Sequence, residues 1–398
     1  MGNSNRHLCR ISSIGRVEYT RNYALLSTLV KQGYRVSSIS PGSLAGSTQE
    51  SEIRHYAVPA PSENFWHENR ISTTLRAIRQ RLIIIRHVAH LLEEVQPDII
   101  LCSEPDAWTL AVHIRKKRRC RIIVDLQEFY EDRVLSLPRF VRPLARLVMR
   151  CWLRHLARNS DLIIHVSSER QAEYAYLCEP GIVVGNYPNL SDFPDIKPIW
   201  TQTTAPSGNI VFLHAGALRP SYASDQLIEA IDIAALRDSR VRLLVLGGIA
   251  GNLINRNLIQ RLIESGTIEI KEQVPHRDVR QHMLACHVGV SLVLPIDTAH
   301  RLAAPQKLYE YFAAGLPVLV ADVPTLRRVI TEHECGILVD PYSPESIADG
   351  LLRMVQDPAR LLQMADRGRR AFVQDYNWER QETLLCGAVN YALGRPRP

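Results

Sequence analysis

The sequence predicts an α/β fold of two doubly wound, Rossmann-like domains that face a central cleft. In both halves of the chain, short apolar runs alternate with helical stretches, which is typical of βαβ units and parallel sheets. A stretch with three prolines and a run of Thr and Ser, at 191–208, interrupts the alternation and predicts a linker. The 398 residues are 46% hydrophobic and 22% charged, an ordinary globular composition that excludes a disordered or fibrous chain.

The first domain is predicted over 1–190. Its expected strands lie at 7–14, 35–40, 98–103, 121–126 and 161–167. A helix is expected at 19–34, and further basic or amphipathic helices precede the later strands.

The second domain is predicted over 209–375. Its expected strands lie at 209–216, 242–248, 268–274, 288–295, 317–322 and 336–341. Its expected helices lie at 224–236, 252–264, 277–286, 305–314, 344–356 and 358–374. A last helix within 376–398 is expected to pack back on the first domain. Because ligands of such sheets bind outside the carboxyl ends of the strands, we expect the site at those edges, in the cleft.

The net charge of +7 comes from one segment of the chain. Between Arg70 and Arg158, 18 basic residues accompany 9 acidic ones, whereas the remainder holds 30 basic and 32 acidic residues. The eight cysteines form no C-x-x-C pair and no zinc-ligand spacing, which predicts reduced thiols, no metal and a cytoplasmic location. No apolar run reaches the length of a membrane span, and no signal peptide is visible.

The most informative stretch is APQKLYEYFAAGLPVLVAD, at 304–322. Pro305 predicts a helix start, whose first amides near Gln306 and Lys307 suit an anion such as a diphosphate. Glu310 lies one turn further on the same face, where a carboxylate can accept two ribose hydroxyls. The alternative is a solvated Lys–Glu pair on an ordinary helix.

The pattern P-x-K-L-Y-E-Y-F-A-A-G-L-P-V resembles the donor-binding signature of family 4 glycosyltransferases, which have the two-domain GT-B fold. Further stretches of the second half that resemble this family are 212–218, 268–295, 336–358 and 376–379. In the first half, the weaker matches are 124–132, 160–168 and 183–189. The resemblance covers nearly the whole chain.

The resemblance implies a nucleotide-sugar donor bound mainly by the second domain. Glu310 would bind the ribose, and the amides near Gln306 and Lys307 would bind the diphosphate. The backbone near Val274 would meet the base, and Gly216 would let the first loop approach the donor closely. Transfer in this family retains the anomeric configuration. The sequence has no D-x-D motif, in agreement with a metal-independent enzyme that needs no cofactor.

Two positions depart from the family pattern at the diphosphate. The family usually has an Arg directly after the glycine turn and a Lys five residues later, where this chain has Ala217 and Tyr222. Arg219 is near enough in sequence to substitute, or it is an ordinary surface arginine. An acidic residue that often precedes the ribose glutamate by eight positions is Leu302 here.

In the first domain, the family's D-x-H-E histidine is replaced by Gln127, which transfers no protons. Asp125 and Glu128 remain as candidate catalytic residues that face the acceptor, with strand-end hydrogen bonding as the alternative. Gly15 and Arg16 lie in a loop that is expected to touch acceptor or phosphate.

The basic helix expected at 139–158 carries Arg142 and four further arginines at four-residue spacing. Leu144, Val148, Trp152 and Leu156 lie on another side. Such a helix can lie on an anionic membrane or approach a lipid-diphosphate acceptor. The alternative is a solvated helix that packs its apolar side into the domain. No nucleic-acid motif accompanies the basic residues, so nucleic acid is not expected as a partner.

The leading hypothesis is a retaining, metal-independent glycosyltransferase that moves a sugar from a nucleotide-sugar to a hydroxyl acceptor. The acceptor classes are a glycan or polysaccharide precursor, a lipid-linked molecule and a small molecule. Ala217 and Tyr222 motivate a second hypothesis, a GT-B partner subunit that binds the donor without transfer. A third is a nucleotide-sugar 2-epimerase on the same fold.

Overall fold

The computed structural model describes residues 6–12, 20–41, 52–58, 70–193, 208–251, 255–272 and 274–394. The chain divides into two compact units. The first runs to Gly185 and takes in the chain again from Gln381, and the second is Asn186–Arg380. The predicted linker lies mostly outside the described residues, since only 191–193 and Gly208 of that stretch are described.

The described part of the first unit contains a parallel sheet. Its strands are β1 (His7–Ile11), β2 (Arg35–Pro41), β3 (Ile53–Val58), β4 (Ile99–Cys102), β5 (Arg121–Leu126), β6 (Leu162–His165) and β7 (Gly181–Val183). They are arranged in the order β3-β2-β1-β4-β5-β6-β7, so the order reverses between β1 and β4. Every residue of β5 is buried, as expected for a strand of a parallel sheet that is covered on both faces.

The helices of the first unit connect these strands. They are α1 (Thr20–Lys31), α2 (Arg70–Val95), α3 (Pro105–Lys117), α4 (Arg142–Arg158) and α5 (Ser168–Glu173). Short 3₁₀ helices span Tyr130–Ser136 and Ala175–Leu177.

Of the four apolar residues that the sequence places on one side of helix α4, only Leu156 is buried. Leu153, Leu156 and Ala157 are buried, but Leu144, Val148 and Trp152 are exposed to solvent. The alternative in which that side packs into the domain therefore does not hold for these three residues. The buried strip lies on a different side of the helix, and the apolar residues of the outer side remain uncovered.

The described part of the second unit contains another parallel sheet, arranged β10-β9-β8-β11-β12-β13. Its strands are β8 (Ile210–Ala215), β9 (Val241–Leu246), β10 (Ile268–Lys271), β11 (Val288–Ser291), β12 (Val318–Ala321) and β13 (Gly336–Val339). The order reverses between β8 and β11. Outside the carboxyl ends of two such strands, a parallel α/β sheet offers space for a ligand.

Helices of the second unit cover the two faces of this sheet. They are α6 (Ser224–Arg237), α7 (Arg256–Glu264), α8 (His276–Ala285), α9 (Thr298–Arg301), α10 (Gln306–Ala313), α11 (Pro324–His333), α12 (Pro344–Gln356) and α13 (Pro358–Gln374). Side chains fix two of the helix starts. Ser343 accepts a hydrogen bond from the Ser346 amide (3.1 Å) before α12, and Asp357 accepts one from the Arg360 amide (3.0 Å) before α13.

Helix α14 (Trp378–Gly394) begins just before the chain returns to the first unit. In that unit, Thr28 donates a hydrogen bond to Glu382 (2.8 Å), and the buried Gln381 accepts one from the Gly185 amide (2.8 Å). Helix α14 is thus hydrogen-bonded to α1, near the start of the first unit, and to Gly185, where the first part of that unit ends. Among the described helices, none combines the length and the apolar character that a membrane crossing requires.

The predicted class of two doubly wound α/β units is confirmed. The prediction for strand 121–126 matches β5 at both ends, and those for helices 344–356 and 358–374 match α12 and α13. Strands β3 and β7 and helices α5, α9 and α11 are not among the predicted elements. Strand β3 has the polar composition IRHYAV, with exposed or half-buried residues at its centre, so it lacks the apolar run that marks the other strands.

Candidate functional site

The candidate site lies at the carboxyl ends of β8 and β11, where the strand order of the second sheet reverses. Strand β8 ends in a turn at Gly216, and the chain after β11 leads through α9 to the start of α10. The residues that the sequence assigns to the donor diphosphate and ribose therefore belong to elements that meet at this edge.

A second glycine turn packs against Gly216. Gly247, directly after β9, has φ +136°, and a Cβ at this position would lie 2.6 Å from the carbonyl carbon of Gly216 and 2.7 Å from the Ala217 nitrogen. The two loops then continue side by side, since the Leu218 amide donates to the Gly248 carbonyl (3.0 Å). Gly216 itself is exposed, has φ +117°, and leaves open space where a side chain would stand.

Tyr311 attaches α10 to the two strands of the site. Its buried hydroxyl accepts a hydrogen bond from the Ala215 amide (2.9 Å) and lies within hydrogen-bonding distance of the Leu213 carbonyl (3.1 Å) and the Val290 carbonyl (3.3 Å). The helix therefore holds a fixed position relative to the ends of β8 and β11. Sequence reasoning missed this role of Tyr311, although the residue stands inside the recognised motif.

The first turn of α10 brings three predicted residues together. Glu310 is buried, and the side-chain amide of Gln306 donates a hydrogen bond to its carboxylate (3.0 Å). Pro305 precedes the helix and supplies no side-chain cap for the first amides. An uncapped helix start with a positive dipole end is suited to an anion.

Lys307 is the cation of this turn. Its ammonium lies 5.4 Å from the ring centroid of Tyr222, the residue that stands where the family usually has Lys. Burial lowers the pKa of Lys307 to about 8, and the charge of Glu310 only partly opposes this. The protein thus holds a cation where solvation is poor, which is characteristic of ligand sites.

His214, at the end of β8, is another buried polar residue of the site. In the described part of the chain, neither of its ring nitrogens has a hydrogen-bond partner. Burial, and then the positive charge of Lys307, lowers the pKa of His214 well below its usual value, so the ring is neutral. From the sequence, a single histidine at this position is more often structural than catalytic.

The remaining donor-side residues are less constrained. Arg219 is exposed. Its backbone amide donates to the Ser224 hydroxyl (2.8 Å), and its carbonyl accepts from the Tyr222 amide (3.0 Å). Ala217 follows the glycine turn and is partly buried. Val274 is partly buried in the loop after β10.

In the first unit, Asp125 is part of a buried network at the end of β5. Arg21 binds both carboxylate oxygens, with Nη2 at 2.7 Å from Oδ1 and Nε at 3.1 Å from Oδ2. The Gln127 amide also donates to Oδ2 (2.6 Å) and to Asn22 (3.1 Å). The carboxylate is 1% exposed. This arrangement favours a structural role for Asp125 over a catalytic one.

Glu128, in contrast, is exposed, and its backbone carbonyl accepts a hydrogen bond from the Tyr174 hydroxyl (3.0 Å). Its carboxylate remains available at the end of β5. Gly15 and Arg16 lie outside the described residues.

Sequence reasoning missed a polar pair at the point where the strand order of the first sheet reverses. Ser12 follows β1 and Glu104 follows β4, and the Ser12 hydroxyl donates to the Glu104 carboxylate (2.8 Å). Burial raises the pKa of Glu104, which the charge of Arg10 partly counteracts. The signal in the sequence is a polar residue within two positions of the end of each of two buried strands.

Comparison with known proteins gives matches in both halves of the chain. A family model described as glycosyl transferases group 1 matches residues 196–371, and one described as a glycosyl transferase 4-like domain matches residues 19–177. A D-inositol 3-phosphate glycosyltransferase from Saccharomonospora viridis is 26% identical over 194 residues, 47% of this chain and 44% of that protein. The chain spans about half the length of the curated relatives it matches.

Solved structures resemble the chain over almost its full length. Sucrose-phosphate synthase from Thermosynechococcus elongatus has a TM-score of 0.70 at 16% identity, over 98% of this chain and 99% of that one. Anabaena HepE in complex with UDP has a TM-score of 0.68 at 14% identity, over 97% and 100% of the two chains. At such identities the likeness shows a shared fold.

Proposed function

We propose a sugar-transfer reaction for this chain, which belongs to the glycosyltransferases of the family 4 type and has their GT-B fold. In this proposal a retaining, metal-independent enzyme moves a sugar from a nucleotide-sugar to a hydroxyl acceptor. The observation that carries it is the N-terminal half of α10 beside the end of β8. There, Lys307 and the buried Glu310 lie about one helical turn apart.

Each residue of that turn has a part in the proposed donor site. Glu310 accepts the ribose hydroxyls, while Lys307 and the first amides of α10 bind the diphosphate. Gly216 leaves open space where the diphosphate would lie, and Gly247 lets the neighbouring loop pack directly against Gly216. Positive charge and amide dipoles that are already in position stabilise the charge that develops on the leaving phosphate. That the solved structure of HepE holds UDP supports a donor with a uracil base.

The proposed transfer needs no separate protein base. The bond between the anomeric carbon and the departing phosphate oxygen breaks, and the acceptor oxygen bonds to the same face of the sugar. The acceptor proton passes to the departing phosphate. The enzyme contributes orientation and charge stabilisation, which agrees with the structural role that the network around Asp125 favours.

The acceptor is proposed to be an anionic, hydroxyl-bearing molecule. The surplus of positive charge between Arg70 and Arg158 supports this choice. The Saccharomonospora relative is named for a phosphorylated polyol, inositol 3-phosphate. A lipid-linked sugar diphosphate has the same negative charge, so both acceptor types belong in the assay.

The test measures donor binding and transfer with UDP-, GDP- and ADP-sugars. We expect Glu310→Gln to weaken donor binding at least about tenfold, since a neutral amide accepts ribose hydroxyls less well. Glu332→Ala, an exposed glutamate of α11, is the matched control and is expected to behave as the unaltered protein. Equal donor affinity of Glu310→Gln and the unaltered protein would refute the ribose role.

A second candidate function is a donor-binding subunit without transfer. The observation that favours it is the pair Ala217 and Tyr222, which removes two cations that the family usually places at the diphosphate. Tight donor binding without turnover across neutral, phosphorylated and lipid-linked acceptors would support this function. Release of nucleoside diphosphate together with a glycosylated acceptor would exclude it.

A further inference from the structure

Helix α4 presents a continuous apolar surface to solvent. The surface includes one residue just before the helix, Phe140. We call the following exposed residues the α4 stripe: Phe140, Leu144, Leu147, Val148, Cys151 and Trp152. Phe140 is 86% exposed, Leu144 65%, Val148 61% and Leu147 58%. Isolated exposed apolar residues are ordinary on protein surfaces, but a contiguous group of this kind marks a binding surface.

The α4 stripe is opposite to the face that holds the helix on its domain. With about 100° per residue, Leu144, Leu147, Val148 and Cys151 fall within roughly 100° of one another. Leu153 points about 180° from Leu144, and it is fully buried. The helix is thus apolar on two opposite sides, one used for folding and one left open.

Arginines accompany the α4 stripe, and no acidic residue does. From Pro138 to Arg158 the sequence holds six arginines and His155, with no Asp or Glu. Arg139, Arg146, Arg154 and Arg158 are exposed. On the helix, Arg154 and Arg158 fall within about 80° of Leu144, beside the α4 stripe, whereas Arg146 points to the other side. Arg142 and Arg150 are the exceptions. Arg142 donates to the Leu135 and Leu137 carbonyls, and Arg150 forms an ion pair with the buried Glu131 (2.8 Å).

The basic surface continues at the end of α3. There, Arg115 donates a hydrogen bond to the Asn159 carbonyl at the end of α4 (2.9 Å), which places the two helix ends together. Lys116, Lys117 and Arg119 follow directly and are exposed. The nearby acidic residue Asp161 is buried and paired with Arg115 and Arg121, so it does not offset these charges at the surface.

We propose that the α4 stripe docks on an anionic phospholipid bilayer, with its apolar residues between the lipid headgroups and the arginines at the phosphates. Lipid matches both features, since it takes up apolar side chains and attracts basic ones. A second copy of the chain is a poorer match, because a symmetric contact places the same surface on both partners and would bring arginines against arginines. The binding step is independent of the proposed transfer reaction.

The experiment is sedimentation of the full chain with vesicles. One set is made of phosphatidylcholine alone, and the other contains about 30 mol% phosphatidylglycerol. We expect binding to the anionic vesicles that is at least about tenfold tighter and that weakens on raising NaCl to about 0.5 M. In vesicles with brominated acyl chains, we expect quenching of tryptophan fluorescence that is lost in Trp152→Phe.

Two variants separate the apolar contribution from the charge contribution. L144S/L147S/V148S is expected to lose at least about tenfold in affinity for anionic vesicles, and R139Q/R154Q/R158Q is expected to lose the preference for them. The matched control is L236S/L384S, which changes exposed leucines elsewhere (79% and 54% exposed) and is expected to bind as the unaltered protein. Unchanged melting temperatures show that the variants fold.

Two results would overturn the proposal. One is that the unaltered chain shows no affinity for anionic vesicles. The other is a dimer in solution that L144S/L147S/V148S dissociates while vesicle binding stays unchanged, which would assign the α4 stripe to a second copy. Neither result depends on a transfer assay, so failure of the membrane proposal and failure of the transferase proposal are distinguishable.

Discussion

Lys307 is held in a state that costs folding free energy. Its ordinary pKa is 10.5, and burial lowers it to about 8 in the folded chain. Between these two values the unfolded chain binds more protons, so the stability of the free protein rises with pH over that range. A bound diphosphate compensates for this cost, because it supplies the negative charge that the buried ammonium lacks.

This pKa leads to a prediction about ligand affinity. Below pH 8 the ammonium of Lys307 is charged in the free protein, and above pH 8 it must first take up a proton before a diphosphate binds. We expect the Kd for UDP to rise about tenfold from pH 7 to pH 9. Titration calorimetry at constant ionic strength measures this change.

The matched variant for that titration is Lys307→Arg. A guanidinium stays charged throughout this range, so its Kd is expected to change little between pH 7 and pH 9. Because the pKa of His214 lies far below neutrality, that residue contributes nothing to the profile. A pH dependence that persists in Lys307→Arg would contradict the assignment to Lys307.

Strand β11 and helix α10 fit together through a glycine. A Cβ on Gly289 would lie 2.3 Å from two ring carbons of Tyr311, so the ring packs directly on the strand backbone. The same ring carries the hydroxyl that binds Ala215. The position of α10 therefore depends on Gly289, because a side chain there would displace the Tyr311 ring.

Gly289→Ala is expected to destabilise the second unit by about 3 kcal/mol, which lowers its Tm by roughly 6–12 °C. Calorimetry of the unaltered protein and the variant measures the loss. Gly387→Ala in α14 is the control, since nothing lies within 4 Å of its added Cβ and a helix favours alanine.

The pairing of the two residues is tested by Gly289→Ala combined with Tyr311→Leu. We expect the double variant to be less destabilised than the sum of its single changes, because the smaller side chain removes the clash. Strict additivity would show that the two residues do not act on each other.

The sequence was sufficient for features that depend on local pattern. The buried runs of β5 and β8 and the helix start after Pro305 all follow from residue type and spacing. Features that depend on contacts distant in sequence were missed. The hydroxyl of Tyr311 binds residues almost 100 positions away in the sequence. Gly247 has to be a glycine because the backbone of Gly216 packs against it, and no local sequence pattern predicts that contact.

The environment of charged residues is another feature that the sequence predicts only in part. The spacing of the α4 arginines was readable, but the side on which the helix packs was not, since both of its sides carry apolar residues. Burial of Leu153 and exposure of Leu144 decide this point. Similarly, Asp125 stood out as a carboxylate at a strand end, and only the distance to Arg21 gives it its role.

At the scale of the whole molecule, the first unit is discontinuous in sequence. Gln381 is buried, and its side chain is the acceptor for the Gly185 amide at the other boundary of the unit. Gln381→Leu leaves that amide without its acceptor. We expect a loss of about 1–3 kcal/mol that is confined to the first unit.

Hydrogen exchange followed by mass spectrometry measures where that loss falls. Peptides from β6, β7 and α1 should exchange faster in Gln381→Leu, and peptides from the sheet of the second unit should keep their rates. Equal acceleration in both units would show that the contact stabilises the chain as a whole.

The return of the chain at Gln381 also sets an order of events during synthesis. A ribosome releases residues from the N-terminus onward, and domains ordinarily fold as they emerge. Here the residues of α14 that complete the first unit are made after the whole of the second unit. The first unit therefore completes its fold only after the second unit has been synthesised, although most of it is translated first. Until then, the surface that α14 covers is exposed and accessible to chaperones.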